Sequence, residues 1–227
     1  MKRNILKGDI ALFVLLSFAI PFNIYSQDSQ GGSKFSVGTD FYSNYVWRGT
    51  RYGHGPHIQP DVRYYSGGVV AGVWGSFDFN GYSEVDPYVI YNFPFGLSLG
   101  ITDYYYPSLS LFEFSDSSGS HALDINTGYV MGGFTFSANV IVNKAGGAGS
   151  FGGDLYFQAG YAWEYVSIFA GAGNGWHTID GNFNLCNIGI ETGKTINITD
   201  TFSIPVTGQI IINPDRKQMF LVIGFTF

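Results

Sequence analysis

Side-chain character along this chain alternates with a beat of two. At 219–227, Met219, Leu221, Ile223, Phe225 and Phe227 are apolar, and each lies two steps from the next. Phe220, Val222, Gly224 and Thr226 sit between them. Successive side chains of a strand point to opposite faces, so the first five share one face. The same beat recurs along most of the sequence and constrains the fold more than any other feature. A strand with one apolar face must cover it. A β-sandwich covers it with a second sheet, and a closed barrel in a bilayer covers it with lipid.

Charge separates these two solutions. Only 12% of residues are charged, against about a quarter in a soluble domain. A sandwich would carry Lys and Glu on its outer faces, yet past residue 26 the lysines are only Lys34, Lys144, Lys194 and Lys217. Glycine at 32, Phe at 21 and Tyr at 16 are abundant, as in membrane barrels. Beyond the N-terminus no run approaches the ~18 consecutive apolar residues of a membrane helix. The expected fold is all-β: an antiparallel transmembrane β-barrel of about 12 strands.

Residues 1–26 read as a cleaved secretory signal peptide and 27–227 as the barrel. Lys2, Arg3 and Lys7 form a positive start, 10–20 is a short apolar core, Pro21 and Asn23 break it, and Ser26 is a small residue suited to precede cleavage. No Cys follows at once, so a lipoprotein anchor is not expected. Removing 1–26 takes away those three basic residues and Asp9, leaving eight basic and sixteen acidic residues. That balance argues against nucleic acid as a partner. Cys186 is alone, so no internal disulfide forms. Clustered Cys and His are lacking, so neither a metal site nor a cofactor is expected.

The predicted strands are twelve. The first runs over 35–48, with Tyr45 and Trp47 as an aromatic girdle at its far end. A loop at 49–56 follows, then a strand at 59–65, the turn Ser66-Gly67-Gly68, and a strand at 69–79. Asn80-Gly81 turns into 84–93, and Phe93-Pro94-Phe95-Gly96 turns into 95–102, which leaves the membrane at 103–107. Strands at 123–129, 134–143, 154–163, 166–173, 186–191, 202–213 and 219–227 complete the set. Cys186 is expected to face outward with Ile188 and Ile190. Long polar connections at 108–120 and 145–153 alternate with short turns, the asymmetry of an outer-membrane barrel. Pro87 and Pro205 lie inside strands, where a ladder donor is lost, and predict bulges or missing bonds.

On this alternation Asp40, Arg48, Asp61, Arg63, Asp78, Glu84 and Asp86 point inward from the first four strands, and Asp124, Asp154 and Glu191 from later ones. Tyr42, Trp74, Tyr88 and Tyr156 also face in. One reading is a polar, net-acidic lumen that passes small polar solutes and favours cations. The other is that Arg and carboxylate groups pair and plug it, leaving a structural or binding barrel that works through its outer loops.

Other chemistry is weaker. His54 and His57 in the first loop have no carboxylate partner in sequence, and a solvated loop explains them. The Gly-rich stretch at 145–153 has no Lys and no following helix, so it is no phosphate cradle. Acyl chemistry wants Ser, His and an orienting group on one rim. The four histidines, His54, His57, His121 and His177, fall in or near outer loops, and none shares a face with a Ser and a third partner. The chain is therefore expected not to be an enzyme; a barrel enzyme and a secreted binding sandwich are the alternatives.

The last strand resembles the closing strand of bacterial outer-membrane barrels, whose final aromatics, here Phe225 and Phe227, serve the barrel-assembly machinery. Four further stretches resemble the TorF family of porin-like proteins: Ser43-Asn44-Tyr45-Val46-Trp47-Arg48-Gly49, Gly72-Val73-Trp74-Gly75-Ser76, Glu84-Val85-Asp86-Pro87-Tyr88 and Tyr104-Tyr105-Tyr106-Pro107. They cover roughly the first third of the chain past residue 26. The resemblance implies an outer-membrane barrel of Gram-negative bacteria with a porin-like label, and the chain is expected to be a monomer. It implies no substrate.

Overall fold

A computed structural model describes residues 34–227, and the expected signal peptide lies outside the described residues. The strands are β1 (Phe35–Tyr42), β2 (Tyr45–Trp47), β3 (Thr50–Tyr52), β4 (His57–Ser66), β5 (Val69–Asp78), β6 (Ser83–Asn92), β7 (Leu97–Tyr105) and β8 (His121–Met131). They continue with β9 (Phe134–Ile141), β10 (Lys144–Ala145), β11 (Ser150–Phe151), β12 (Asp154–Ala162), β13 (Val166–Gly173), β14 (Asn184–Asn197), β15 (Ser203–Asn213) and β16 (Gln218–Thr226). Among the described residues a single 3-10 turn, η1, covers Gly175–His177. Twelve strands close into a barrel in the order β1-β16-β15-β14-β13-β12-β9-β8-β7-β6-β5-β4, every neighbour antiparallel. The hairpins β2–β3 and β10–β11 stand apart from it. The expected all-β barrel and its strand number are both observed.

The alternation has its expected consequence on the outer wall. Val37, Val62, Val73, Val89, Ile101, Ile125, Phe136, Phe157, Ile168, Ile190, Ile210 and Ile223 all stay exposed on it. Their in-between neighbours are buried, among them Trp74, Tyr88, Asp124, Tyr156 and Val222. The connections separate by end. Short turns at 67–68, 93–96, 132–133, 163–165 and 198–202 lie at one end, together with Lys34 and Phe227. At the other end lie the long connections 43–56, 106–120, 142–153 and 174–183 and two brief ones, 79–82 and 214–217. We call these the turn end and the loop end.

Three expectations are corrected. The first strand does not run through to Arg48. It stops at Tyr42, and Tyr45 and Trp47 form no lipid-facing girdle: they are buried inside. Ser43 still completes the ladder with β16, its N–H reaching the Ile223 oxygen at 2.8 Å. Asn44 Nδ2 donates to the Leu221 oxygen at 3.3 Å, and then the chain turns inward as β2–β3. His57 is likewise no loop residue; it opens β4 and faces the lumen. Cys186 does not face lipid. A β-bulge between Gly171 and Ala172 shifts the β13–β14 register, so Asn187 pairs with Gly171 while Leu185 pairs with Ala172. Cys186 is the extra residue, and the bulge turns it inward. The proline expectation holds in one form: the β6–β7 ladder skips Asp86 and Pro87.

The closing seam is short. β1 meets β16 in register only at Asp40–Thr226, Phe41–Phe225 and Tyr42–Gly224. Thr39 and Phe227 add a reciprocal pair of backbone bonds at 3.0 and 2.9 Å. The rings of Phe41 and Phe227 meet edge to face across it, 5.5 Å apart, and Phe225 stays exposed on the outer wall.

Candidate functional site inside the barrel

The connection between β1 and β4 carries the site. Tyr45-Val46-Trp47 and Thr50-Arg51-Tyr52 pair across Arg48-Gly49, with Trp47 opposite Thr50. Both tip residues have positive φ, 48° for Arg48 and 81° for Gly49. This is the two-residue turn that matches the twist of a hairpin. Glycine adopts it freely; arginine does so rarely.

The hairpin lies across the lumen and touches its wall on several sides. Tyr45 meets the Trp74 ring at 5.5 Å, and Trp47 meets Tyr104 at 5.1 Å and Trp176 at 5.5 Å. Val46, on the opposite face, packs with Phe169, Ile211 and Val222. The tip reaches the far wall. Asn213 Nδ2 donates to the Gly49 oxygen at 3.0 Å. A Cβ added to Gly49 would stand 2.0 Å from the Cys186 oxygen, so only glycine fits against the bulge.

Arg48 makes the charged contact between hairpin and wall. Its Nη2 donates to Asp124 Oδ2 at 2.7 Å, and Nη1 lies 3.3 Å from His177 Nε2. The guanidinium is sandwiched, its carbon 4.3 Å from the Trp47 ring centre and 4.7 Å from that of Tyr156. Tyr104 donates its hydroxyl to the same Asp124 oxygen at 2.9 Å. The Asp124 side chain is 0% exposed and that of Arg48 1%. Burial, and then the neighbouring Arg48, hold the His177 imidazole well below its ordinary value of 6.5, so the neutral ring accepts a hydrogen bond from the Arg48 guanidinium instead of repelling it.

The other inward residues serve separate ends. Arg63 Nε donates to Asp61 Oδ2 at 2.5 Å, and the Tyr88 hydroxyl reaches Asp61 Oδ1 at 3.1 Å. Glu84 accepts the Tyr82 hydroxyl at 2.6 Å, and Asp86 receives the Tyr105 N–H at 3.4 Å. Asp154 ties loops together, accepting from the Ser150 hydroxyl at 2.7 Å, the Phe151 N–H at 2.9 Å and the Trp176 N–H at 3.2 Å. Asp78 caps a rim turn through the N–H groups of His54, Asn80 and Tyr82. Glu191 accepts from Gln209, and Asp40 lies beside Thr226 at the seam. Of the residues expected to face in, the structure therefore joins Arg48 to Asp124, and Arg63 to Asp61 and Tyr88. Asp40 lies within electrostatic reach of that second pair, while Asp78, Asp154 and Glu191 make their contacts elsewhere.

Sequence reasoning placed Arg48 inside but missed the hairpin, and it missed Tyr104 and His177 as partners. Another pairing was also missed. His57 Nδ1 lies 2.8 Å from Ser76 Oγ on the adjacent strand, and Gln59 Nε2 donates to that oxygen at 3.2 Å. The pair is sealed, with the rings of Tyr45 and Tyr82 each 5.5 Å from the imidazole. Among the described residues no cluster of His, Cys, Asp and Glu could hold a metal ion.

No family model matches the sequence, and no curated protein matches it. Among solved structures, a Rh. blastica porin variant is similar at 12% identity, over 75% of this chain and 55% of that one, with a TM-score of 0.39. The outer membrane phospholipase A of Escherichia coli is similar at 11% identity, over 84% of this chain and 87% of that one, TM-score 0.40. Pseudomonas aeruginosa OprD is similar at 12% identity, over 86% and 67%, TM-score 0.33. The chain spans about half the length of the porins it matches.

Proposed function

We propose that this chain is a bacterial outer-membrane barrel of the porin kind, whose passage for small polar solutes is held shut by the β2–β3 hairpin. The outer wall supports the membrane reading. Its exposed apolar band has no counterpart in water-soluble sheets, and a closed barrel satisfies its backbone groups within lipid. The observation that carries the shut state is the Arg48–Asp124 pair. A positive charge on a lumenal loop is buried against a wall carboxylate at 2.7 Å. A buried pair of this sort does little for bulk stability but strongly disfavours separating one partner from the other.

The four stretches that resemble the TorF family support the same reading by position. Ser43–Gly49 is the entry and tip of the hairpin, and Trp74, Glu84, Asp86 and Tyr104 belong to the wall around it. Withdrawing Arg48 would leave Asp40, Asp61, Glu84, Asp86, Asp124, Asp154 and Glu191 inside with only Arg63 as their basic neighbour among the residues read as facing in. The opened passage should therefore favour cations. We read the chain as a non-enzyme, because the His57–Ser76 pair lies sealed under two rings. Assembly by the barrel-assembly machinery, recognition of Phe225 and Phe227, and a monomeric state belong to the same reading.

The test is conductance in planar bilayers of refolded, heat-modifiable protein. The wild-type barrel should be silent or open only briefly. A variant whose residues 44–55 are replaced by a short Gly-Ser link should show sustained steps, with cation-shifted reversal potentials in KCl gradients. A folded, hairpin-free barrel that does not conduct would overturn the passage reading.

A further inference from the structure

Arg48 does not pair with Asp124 as well as a guanidinium can. A free guanidinium presents two parallel N–H groups to the two oxygens of a carboxylate. Arg48 uses one: Nη2 bonds Oδ2 at 2.7 Å. Among the described residues, Arg48 Nε and Asp124 Oδ1 are both buried without a hydrogen-bond partner. These are the two atoms that a second parallel bond would join. The tether explains the failure. Arg48 sits at the tip of a two-residue turn, with φ at 48° and Gly49 jammed against the Cys186 oxygen. The side chain cannot swing to present its fork.

The rest of the socket belongs to the wall, not to the hairpin. Asp124 is on β8, Tyr104 on β7, Tyr156 on β12 and His177 on η1. Together they offer a carboxylate, a hydroxyl already bonded to it, an aromatic face at 4.7 Å and an imidazole acceptor at 3.3 Å. A planar cation is recognised by this set of groups. All four would remain when the hairpin leaves.

We propose that this socket is a binding site for small solutes bearing a guanidinium group, and that Arg48 occupies it as a tethered stand-in for the solute. The inference rests on the passage reading for its consequence, which is that such a solute competes with the hairpin for the socket. The site itself stands on the socket geometry alone. A free guanidinium makes the second bond that Arg48 cannot make, so it has an advantage over the resident group.

The probe is methylguanidinium, with sodium at matched ionic strength as control. In bilayers, the Arg48→Ala barrel should be blocked by methylguanidinium. Adding Asp124→Asn should raise the blocking concentration about tenfold or more, as loss of a charge-assisted fork does. Block that is absent, or unchanged in the double variant, overturns the site. If Arg48→Ala folds but does not conduct, block cannot be read, and equilibrium dialysis of isotopically labelled methylguanidinium decides the site separately. Binding to Arg48→Ala that Asp124→Asn abolishes upholds it. Binding that ignores Asp124, or none, overturns it.

Discussion

The two ends of the lumen are built on the same strands and end up unlike. Toward the loop end, Tyr104, Asp124, Tyr156, His177 and Asn213 are all at 2% exposure or less, and the hairpin fills the space between them. Toward the turn end many inward residues are small or polar, with buried Ile90 and half-buried Val70 among them. Ser98, Gly100, Asn126 and Gly160 are only half-buried. Beneath the hairpin, rings lie against the wall instead of projecting from it. Tyr42 covers Gly224, and Phe169 covers Gly189, so closely that a Cβ on either glycine would fall 2.2 or 2.0 Å from the ring. Strand alternation makes a lined tube. The seal is added by one connection, and the strands do not require it.

Substitutions that erase this contrast should have the largest effects. Asp124→Ala strands a buried guanidinium, and should cost the shut state about 3–5 kcal/mol. Hydrogen exchange at the amides of 45–52 should then accelerate while the barrel strands keep their protection. Arg48→Ala together with Asp124→Ala should cost less than the sum of the single changes, because the second removes a charge that the first has already stranded.

Gly49→Ala comes next. It forces a side chain onto the Cys186 oxygen at a φ of 81°, a strain of about 1–3 kcal/mol. The expected readout is conductance without loss of heat-modifiability, and a silent, fully protected hairpin would contradict the tip contact.

Acid should produce a graded version of the same opening. His177 faces Arg48 and the rings of Trp47 and Tyr156, with Asp124 across the guanidinium and Asp154 behind Trp176. Its imidazole is held well below 6.5 in the shut state. A base depressed in this way costs nothing above its free value and progressively more below it. The shut state should therefore weaken as pH falls through 6.5, and open probability should rise. His177→Gln should flatten that profile.

The smallest effect is expected at the turn end. Ser137 carries a buried hydroxyl without a hydrogen-bond partner among the described residues. Ser137→Ala should change stability by about 0.5 kcal/mol or less, and should leave the hairpin amides as protected as before. A large effect there would mean that both ends share one seal.

The strands were legible because each side chain reports its face through a period of two. Where that period misled, the cause is local. Tyr45 and Trp47 continue the phase of Phe41 across Ser43-Asn44, so a departure from the wall looks like an extension along it. A signal was present: Tyr-Val-Trp and Thr-Arg-Tyr flank a two-residue Arg48-Gly49 turn, which is hairpin spacing. Cys186 was misread because a bulge adds one residue and flips the face. The Arg48–Asp124 pairing joins residues 76 apart, and no local pattern encodes such a contact. His57 and Ser76 meet across adjacent strands for the same reason.

The short seam has a consequence for how the molecule is made. Joining β1 to β16 closes a loop of nearly the whole described chain, and the entropic cost comes before the few bonds that reward it. Closure is then the late event of folding. Ser43 and Asn44, at the root of the hairpin, bond to Ile223 and Leu221 of β16, so the hairpin can seat only once the seam has zipped. A barrel with its hairpin seated has, by that order of events, already finished closing.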